Sequence, residues 1–284
     1  MKRQLFAVLA VIVFSAVSIT GYAKTVQKNE KISITVITDM KCDFCSTEEV
    51  QKRLTGYFPK AAFALLDYRA KPAQALIAKY DVKTLPCFLI PSAVEDFDGF
   101  KNISESLVKK GDRFVLKQEM AGMFLFLGRH YADNEITYFF DFYDSRTKDT
   151  FPLLCEFCKE KNIKLNINFI VPSIPVAGYP QQEIATALAV QKVYPDKLLD
   201  YLNERIKFIE TLDCTTVAVK MSMDVNVLSK ELEPAAAGQL LKDNEILGKE
   251  LGITNGNALL ANNIRLFMIM KVKKEDLDKV INSK

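Results

Sequence analysis

The sequence predicts an α/β fold built as two consecutive units, the second carrying a long helical segment. Three observations predict this. Residues 31–92 alternate strand and helix signals, with Cys42-Asp-Phe-Cys45 between the first strand and the first helix. After a polar stretch at 131–135 that reads as a linker, a new strand–helix–strand pattern begins at Ile136. The 284 residues are enough for two domains of ordinary size.

Composition narrows the function. Hydrophobic residues make up 49% and charged residues 26%, a globular balance with ample core material. A formal charge of +3 over 38 basic and 35 acidic residues provides no field suited to nucleic acid. Residues 1–23 differ from the rest. Lys2-Arg3 is followed by an apolar run from Leu5 to Ile19 and small residues at Gly21 and Ala23. This reads as a secretory signal peptide, so an exported, periplasmic or cell-envelope protein is expected. An uncleaved N-terminal anchor is the alternative. Export places Cys42, Cys45, Cys87, Cys155, Cys158 and Cys214 where disulfides persist, and sequence alone selects no pairing among them.

The first unit reads as follows. Lys31 to Thr38 alternates Ile32, Ile34 and Val36 and predicts a strand. Ser46 reads as the N-cap of a helix closed by a C-cap glycine at Gly56. Ala62 to Tyr68 is a second strand, and Pro72 opens a helix to Tyr80. Val82 to Ile90 reads as one strand containing Pro86. Asp96 to Gly99 reads as a turn, Ile103 to Lys110 as a short helix, and Arg113–Leu116 and Met123–Leu127 as strands. His130, the one histidine, reads as structural or exposed.

A strand, a Cys-x-x-Cys, a helix, a strand, a helix and a proline-headed strand together resemble the thioredoxin superfamily. The features that carry the likeness are Cys42-Asp-Phe-Cys45 and Thr84-Leu85-Pro86. The resemblance implies that Cys42 is the nucleophile, Cys45 the resolving thiol, and Pro86 a cis proline. It also implies that backbone at Thr84, Leu85 and Pro86 meets the substrate chain. A cysteine at a helix N-terminus gains thiolate character from unpaired N–H groups. Lys41 favours the Cys42 thiolate, while Asp39 and Asp43 oppose it. Many thioredoxins carry a buried carboxylate six residues before the first cysteine; Val36 stands there. Cys87, directly after Pro86, is either a third active-site thiol or a small buried strand residue.

The second unit resembles thioredoxin-fold domains of the DsbA type. Its strand at Ile136–Tyr143 is followed by Asp144-Ser-Arg-Thr147 and by Pro152 within a helix that reaches Lys161, then a strand from Lys164 to Val171. In this alignment Asp144 and Thr147 occupy the two cysteine positions. Asn257, in Thr254-Asn-Gly-Asn257, stands in the place of the cis proline. The resemblance assigns 181–252 to a helical insertion and 264–272 and 275–281 to a closing strand and helix. Cys155 and Cys158 form a second Cys-x-x-Cys, but within a helix, which favours core cysteines.

The sequence therefore predicts two tandem thioredoxin-like folds, at 31–130 and 136–284, the second lacking its Cys-x-x-Cys. The expected function is an exported thiol–disulfide oxidoreductase acting through Cys42 and Cys45. Its expected partners are protein thiols and disulfides and a thiol or membrane redox protein. No nucleotide-binding glycine pattern is present, so no nucleotide cofactor is expected. A different class stays open. Met40-x-Cys42-x-x-Cys45 also resembles the Cu(I)-binding loop of small heavy-metal-associated domains, whose soft sulfur ligands select that ion. A non-catalytic binding protein of the cell envelope is a further alternative.

Overall fold

The computed structural model describes residues 31–42, 45–117, 123–171, 180–253, 256–268 and 273–282. The segment read as a signal peptide lies outside these residues. Among those described, no helix is long and apolar enough to cross a membrane.

The first sheet is built from β1 (Ser33–Thr38), β2 (Ala62–Asp67), β4 (Cys87–Pro91), β5 (Leu107–Lys110) and β6 (Arg113–Leu116), in the order β2-β1-β4-β6-β5. Helices α1 (Glu48–Tyr57) and α2 (Lys71–Tyr80) follow β1 and β2, and the one-turn α3 (Phe100–Ile103) precedes β5. The β1–β2 pair is parallel, and β1–β4, β4–β6 and β5–β6 are antiparallel. The alternating Ile32, Ile34 and Val36 pack on Leu54, Phe58 and Phe88 in one core, while Ile37 and Leu89 face a second beneath α2.

The second sheet has the order β3-β7-β11-β10-β8-β9. Its strands are β3 (Thr84–Leu85), β7 (Met123–Phe126), β8 (Glu135–Phe140), β9 (Lys164–Phe169), β10 (Ala258–Ala261) and β11 (Arg265–Met268). Helix α4 (Thr147–Lys161) joins β8 to β9. Five helices, α5 (Pro180–Val193), α6 (Leu198–Lys207), α7 (Cys214–Lys220), α8 (Val225–Glu231) and α9 (Pro234–Leu251), follow β9, and α10 (Lys274–Asn282) follows β11. The β8–β9 pair is parallel, while β8–β10, β10–β11 and β7–β11 are antiparallel. In spatial order and strand direction the first sheet, β2-β1-β4-β6-β5, matches β9-β8-β10-β11-β7 of the second, but the edge strands differ in chain order: β5 lies between β4 and β6, whereas β7 precedes β8.

The main core lies under this second sheet. Tyr138, Phe140, Phe151, Phe157 and Phe169 are fully buried there, and burying each such ring contributes about 1.5–3 kcal/mol. Among the insertion helices, Arg205 on α6 is fully buried and bonds Glu183 on α5 at 2.8 and 2.7 Å.

The structure departs from the sequence reading at several places. The stretch 82–90 is not one strand. Thr84–Leu85 pairs with β7 in the second sheet, and the chain then crosses to the first sheet as Cys87–Pro91. The range 31–130 therefore does not coincide with one sheet, because β3 and β7 both join the other. The helix expected at 103–110 is a short turn followed by β5, since Leu107 and Lys109 find cross-strand partners on β6. Thr47, not Ser46, precedes α1. Gly56 lies inside α1, which runs on to Tyr57 and is closed by Phe58.

Candidate redox site

β1 ends at Thr38, and the chain turns through Asp39 to Cys42. The turn is held by the Cys42 N–H donating to Asp39 O at 3.2 Å and the Cys45 N–H donating to Cys42 O at 3.1 Å. The Met40 N–H donates to Asp67 Oδ2 at 3.1 Å, which ties the loop to the end of β2. Cys42 and Cys45 form a disulfide and are each half-buried. Lys41 is exposed beside them.

The expected position of Cys42 at a helix N-terminus needs correction. α1 starts at Glu48, so the Cys42–Cys45 turn precedes the helix rather than opening it. What reaches the pair is a side chain from the other sheet: Arg265 on β11 has Nη1 3.9 Å from Cys45 Sγ. The same guanidinium donates from Nη2 to Asp39 Oδ2 at 2.8 Å. Arg69 donates to the other Asp39 oxygen, also at 2.8 Å, and pairs with Asp67 at 3.2 Å. Asp39 is all but fully buried, and burial alone disfavours its charge. The hydrogen bonds from Arg69, Arg265 and the Lys41 backbone outweigh this and hold its carboxyl below the ordinary carboxylate value.

The Leu85–Pro86 peptide bond is cis. The register Ile37↔Cys87 places Pro86 beside Thr38, four residues before Cys42. Thr84 and Leu85 pair with Phe126 and Leu125 of β7, so this edge of their backbone is already engaged within the chain. On another side, Thr84, Pro86 and Cys87 line a cleft of ≈ 330 Å³ whose rim carries Lys83, Lys110 and Lys117. Cys87 is a free thiol, 3% exposed, and burial pushes it up to about 12. That is the profile of the small buried strand residue. His130 is exposed, and its backbone carbonyl accepts from Asn263 Nδ2 at 2.9 Å.

In the second sheet the matching turn, after β8, holds Asp144 and Arg146. Arg146 Nε donates to Asp144 Oδ1 at 2.9 Å, and this partner holds the Asp144 carboxyl at about 2. Asn257 immediately precedes β10, as Pro86 precedes β4, and its Oδ1 accepts from the buried Tyr138 hydroxyl. Gly256 is needed there because a Cβ would collide with Asp141. Cys155 and Cys158 are free, mid-helix, and raised by burial to about 11 and about 12. Cys214 is also free and buried. Among the described residues no group of three or more His, Cys, Asp or Glu side chains is placed to hold a metal ion.

Asp39 was read in the sequence only as a charge opposing the thiolate. Arg69 and Arg265 gave no sequence signal, because the contact between Arg265 and Asp39 spans 226 positions.

No protein-family model matches the chain, and no curated protein does. Several solved structures resemble it. The thiol-disulfide exchange protein α-DsbA2 from Wolbachia pipientis is 16% identical with a TM-score of 0.42, over 55% of this chain and 87% of that one. A putative protein disulfide isomerase from Nitrosomonas europaea is 13% identical with a TM-score of 0.42, over 52% and 96%. The disulfide oxidoreductase DsbA from Proteus mirabilis is 13% identical with a TM-score of 0.39, over 55% and 86%.

Proposed function

We propose that this chain is an exported thiol–disulfide oxidoreductase made of two tandem thioredoxin-like folds. Cys42 exchanges disulfides with protein thiols and Cys45 resolves the mixed disulfide. The observation that carries the reading is the half-buried Cys42–Cys45 disulfide in the turn after β1, the strand whose last residue, Thr38, lies opposite Pro86. A disulfide that solvent reaches is open to thiolate attack, whereas the four other cysteines are free and shielded or raised in pKa. The repeated strand order supports two units of one fold. The second unit, with Asp144 and Thr147 in the cysteine positions and Asn257 in that of the proline, serves partner or substrate binding. Substrate backbone meets the first unit at Thr84, Leu85 and Pro86, the segment that leads into β4.

The test is reduction of insulin by a dithiol with catalytic amounts of protein. The wild type should speed precipitation of the B chain, and Cys42→Ser should leave the uncatalysed rate. A wild type with no effect, or a Cys42→Ser variant that keeps it, sinks the reading.

A further inference from the structure

We propose that Arg265 is a catalytic residue that holds the resolving Cys45 as a thiolate; this rests on the exchange reading above. In that reading, Cys42 Sγ is first bonded to a substrate sulfur. Cys45 releases its proton to solvent, and its thiolate attacks Cys42 Sγ. The Cys42–Cys45 bond forms and the bond from Cys42 to substrate breaks. The substrate sulfur leaves as a thiolate and takes a proton from water. Two electrons pass from the Cys42–Cys45 pair to the substrate disulfide.

This step needs anionic sulfur on Cys45, and among the described residues the side-chain donor that reaches Cys45 Sγ is Arg265, not a residue of the first unit. Val36, fully buried, holds the position of the carboxylate found in many thioredoxins, and α1 begins beyond the pair. Arg265 comes from the second sheet, with its side chain 4% exposed. Its Nη1 lies 3.9 Å from Cys45 Sγ and its Nε is buried without a hydrogen-bond partner. A guanidinium cannot lose its proton, so it acts as a fixed cation and donor, not as a base.

Asp39 faces Arg265 and Arg69, and Asp67 faces Arg69. These four charges balance while the two sulfurs are bonded. Asp39 is spread over three donors, Arg69, Arg265 and the Lys41 backbone N–H. Tyr131 lies within electrostatic reach of Arg265 and donates to Asp133 at 3.2 Å. Lys41, Glu48 and Glu49 stand exposed at the ends of the loop, where solvent screens them. A thiolate appearing on Cys45 therefore meets Arg265 as its partner in partly buried surroundings, where such an interaction is stronger than in open solvent.

The reduced protein is mixed with 5,5′-dithiobis(2-nitrobenzoate) in a stopped-flow instrument across a range of pH. Attack by Cys42 releases one thionitrobenzoate, and resolution by Cys45 releases the second. Arg265→Gln should slow the second release about tenfold at neutral pH and raise its pH midpoint, the effect of about one pKa unit. The first release should stay within about twofold of wild type, since Cys42 does the first attack. Arg265→Lys keeps the cation and should restore part of the second rate. Asp39→Asn frees Arg265 from its carboxylate and should lower the midpoint. An Arg265→Gln protein whose second phase matches wild type, or two phases that shift together, overturns the assignment. If Arg265→Gln does not fold, an Asp39→Asn protein with an unmoved midpoint overturns it instead. A wild type that never releases the second equivalent sinks the exchange reading itself, which is a distinguishable result.

Discussion

The two sheets share one strand plan and differ at the same two places. In the first, the turn after β1 holds Cys42 and Cys45, and cis Pro86 precedes β4. In the second, the turn after β8 holds Asp144 and Arg146, and Asn257 precedes β10. The second sheet is backed by the larger aromatic core, with Tyr138, Phe140, Phe151 and Phe169 packed beneath it. What filled the turn is locally consistent: an ion pair on one side and an Asn257–Tyr138 hydrogen bond beneath. Fold and chemistry are thus separable here, the first in the sheets and the second in the loops that cap them.

The sharpest way to break this comparison is by thiol reactivity. After reduction of the native protein, iodoacetamide at mildly basic pH should label Cys42 and Cys45 and leave the other Cys-x-x-Cys, Cys155 and Cys158, unlabelled. A thiol near 12, such as Cys158 or Cys87, presents about a thousandfold less thiolate than an ordinary one. Mass spectrometry of the peptides reads the outcome, and labelling of Cys158 at the rate of Cys42 would erase the distinction.

Stability separates the two turns next. Asp39→Ala strands the 4%-exposed Arg265 without its carboxylate, and breaking such a buried pair costs about 3–5 kcal/mol. Asp144→Ala removes a partner from a solvent-facing Arg146, and should cost about 1 kcal/mol. Urea denaturation of the oxidised proteins measures both. The advantage of wild type over Asp39→Asn should also depend on pH. The folded Asp39 carboxyl is depressed, so its contribution is fully present above about pH 4. It should fade as the pH falls through the folded value.

The smallest effects come from two glycines. Gly56 sits inside α1, and a Cβ there meets nothing within 4 Å. Gly56→Ala should stabilise by about 0.5–1 kcal/mol through lost chain entropy. Gly252 closes α9 with φ +66, and Gly252→Ala should destabilise by about 1 kcal/mol. Opposite shifts in thermal midpoint are the expected result.

Much of this was legible from residues close together in sequence. The alternation of Ile32, Ile34 and Val36, Pro72 at the start of α2, Pro234 at the start of α9 and Gly252 at its end all act within a few residues. The Cys42–Cys45 pair was legible for the same reason. Two kinds of feature were not. Leu107 to Lys110 has no local reason to choose a strand over a helix until β6 offers its partners. Thr84–Leu85 looks continuous with Cys87–Pro91, and only β7 draws it into the other sheet. Arg265 is the extreme case: nothing near it in sequence marks it as the partner of Asp39 and Cys45.

The separation of 226 positions between Asp39 and Arg265 also bears on how the protein is made. A chain emerges from the ribosome N-terminus first, and its early segments begin to fold before later ones exist. Cys42 and Cys45 are therefore released into the surroundings long before β7 can pair with Thr84–Leu85 or β11 can deliver its guanidinium. A product truncated before residue 265 carries both cysteines and leaves Asp39 with Arg69 and the Lys41 backbone N–H as donors. The electrostatic character of the Cys42–Cys45 loop thus depends on β11, the last strand among the described residues.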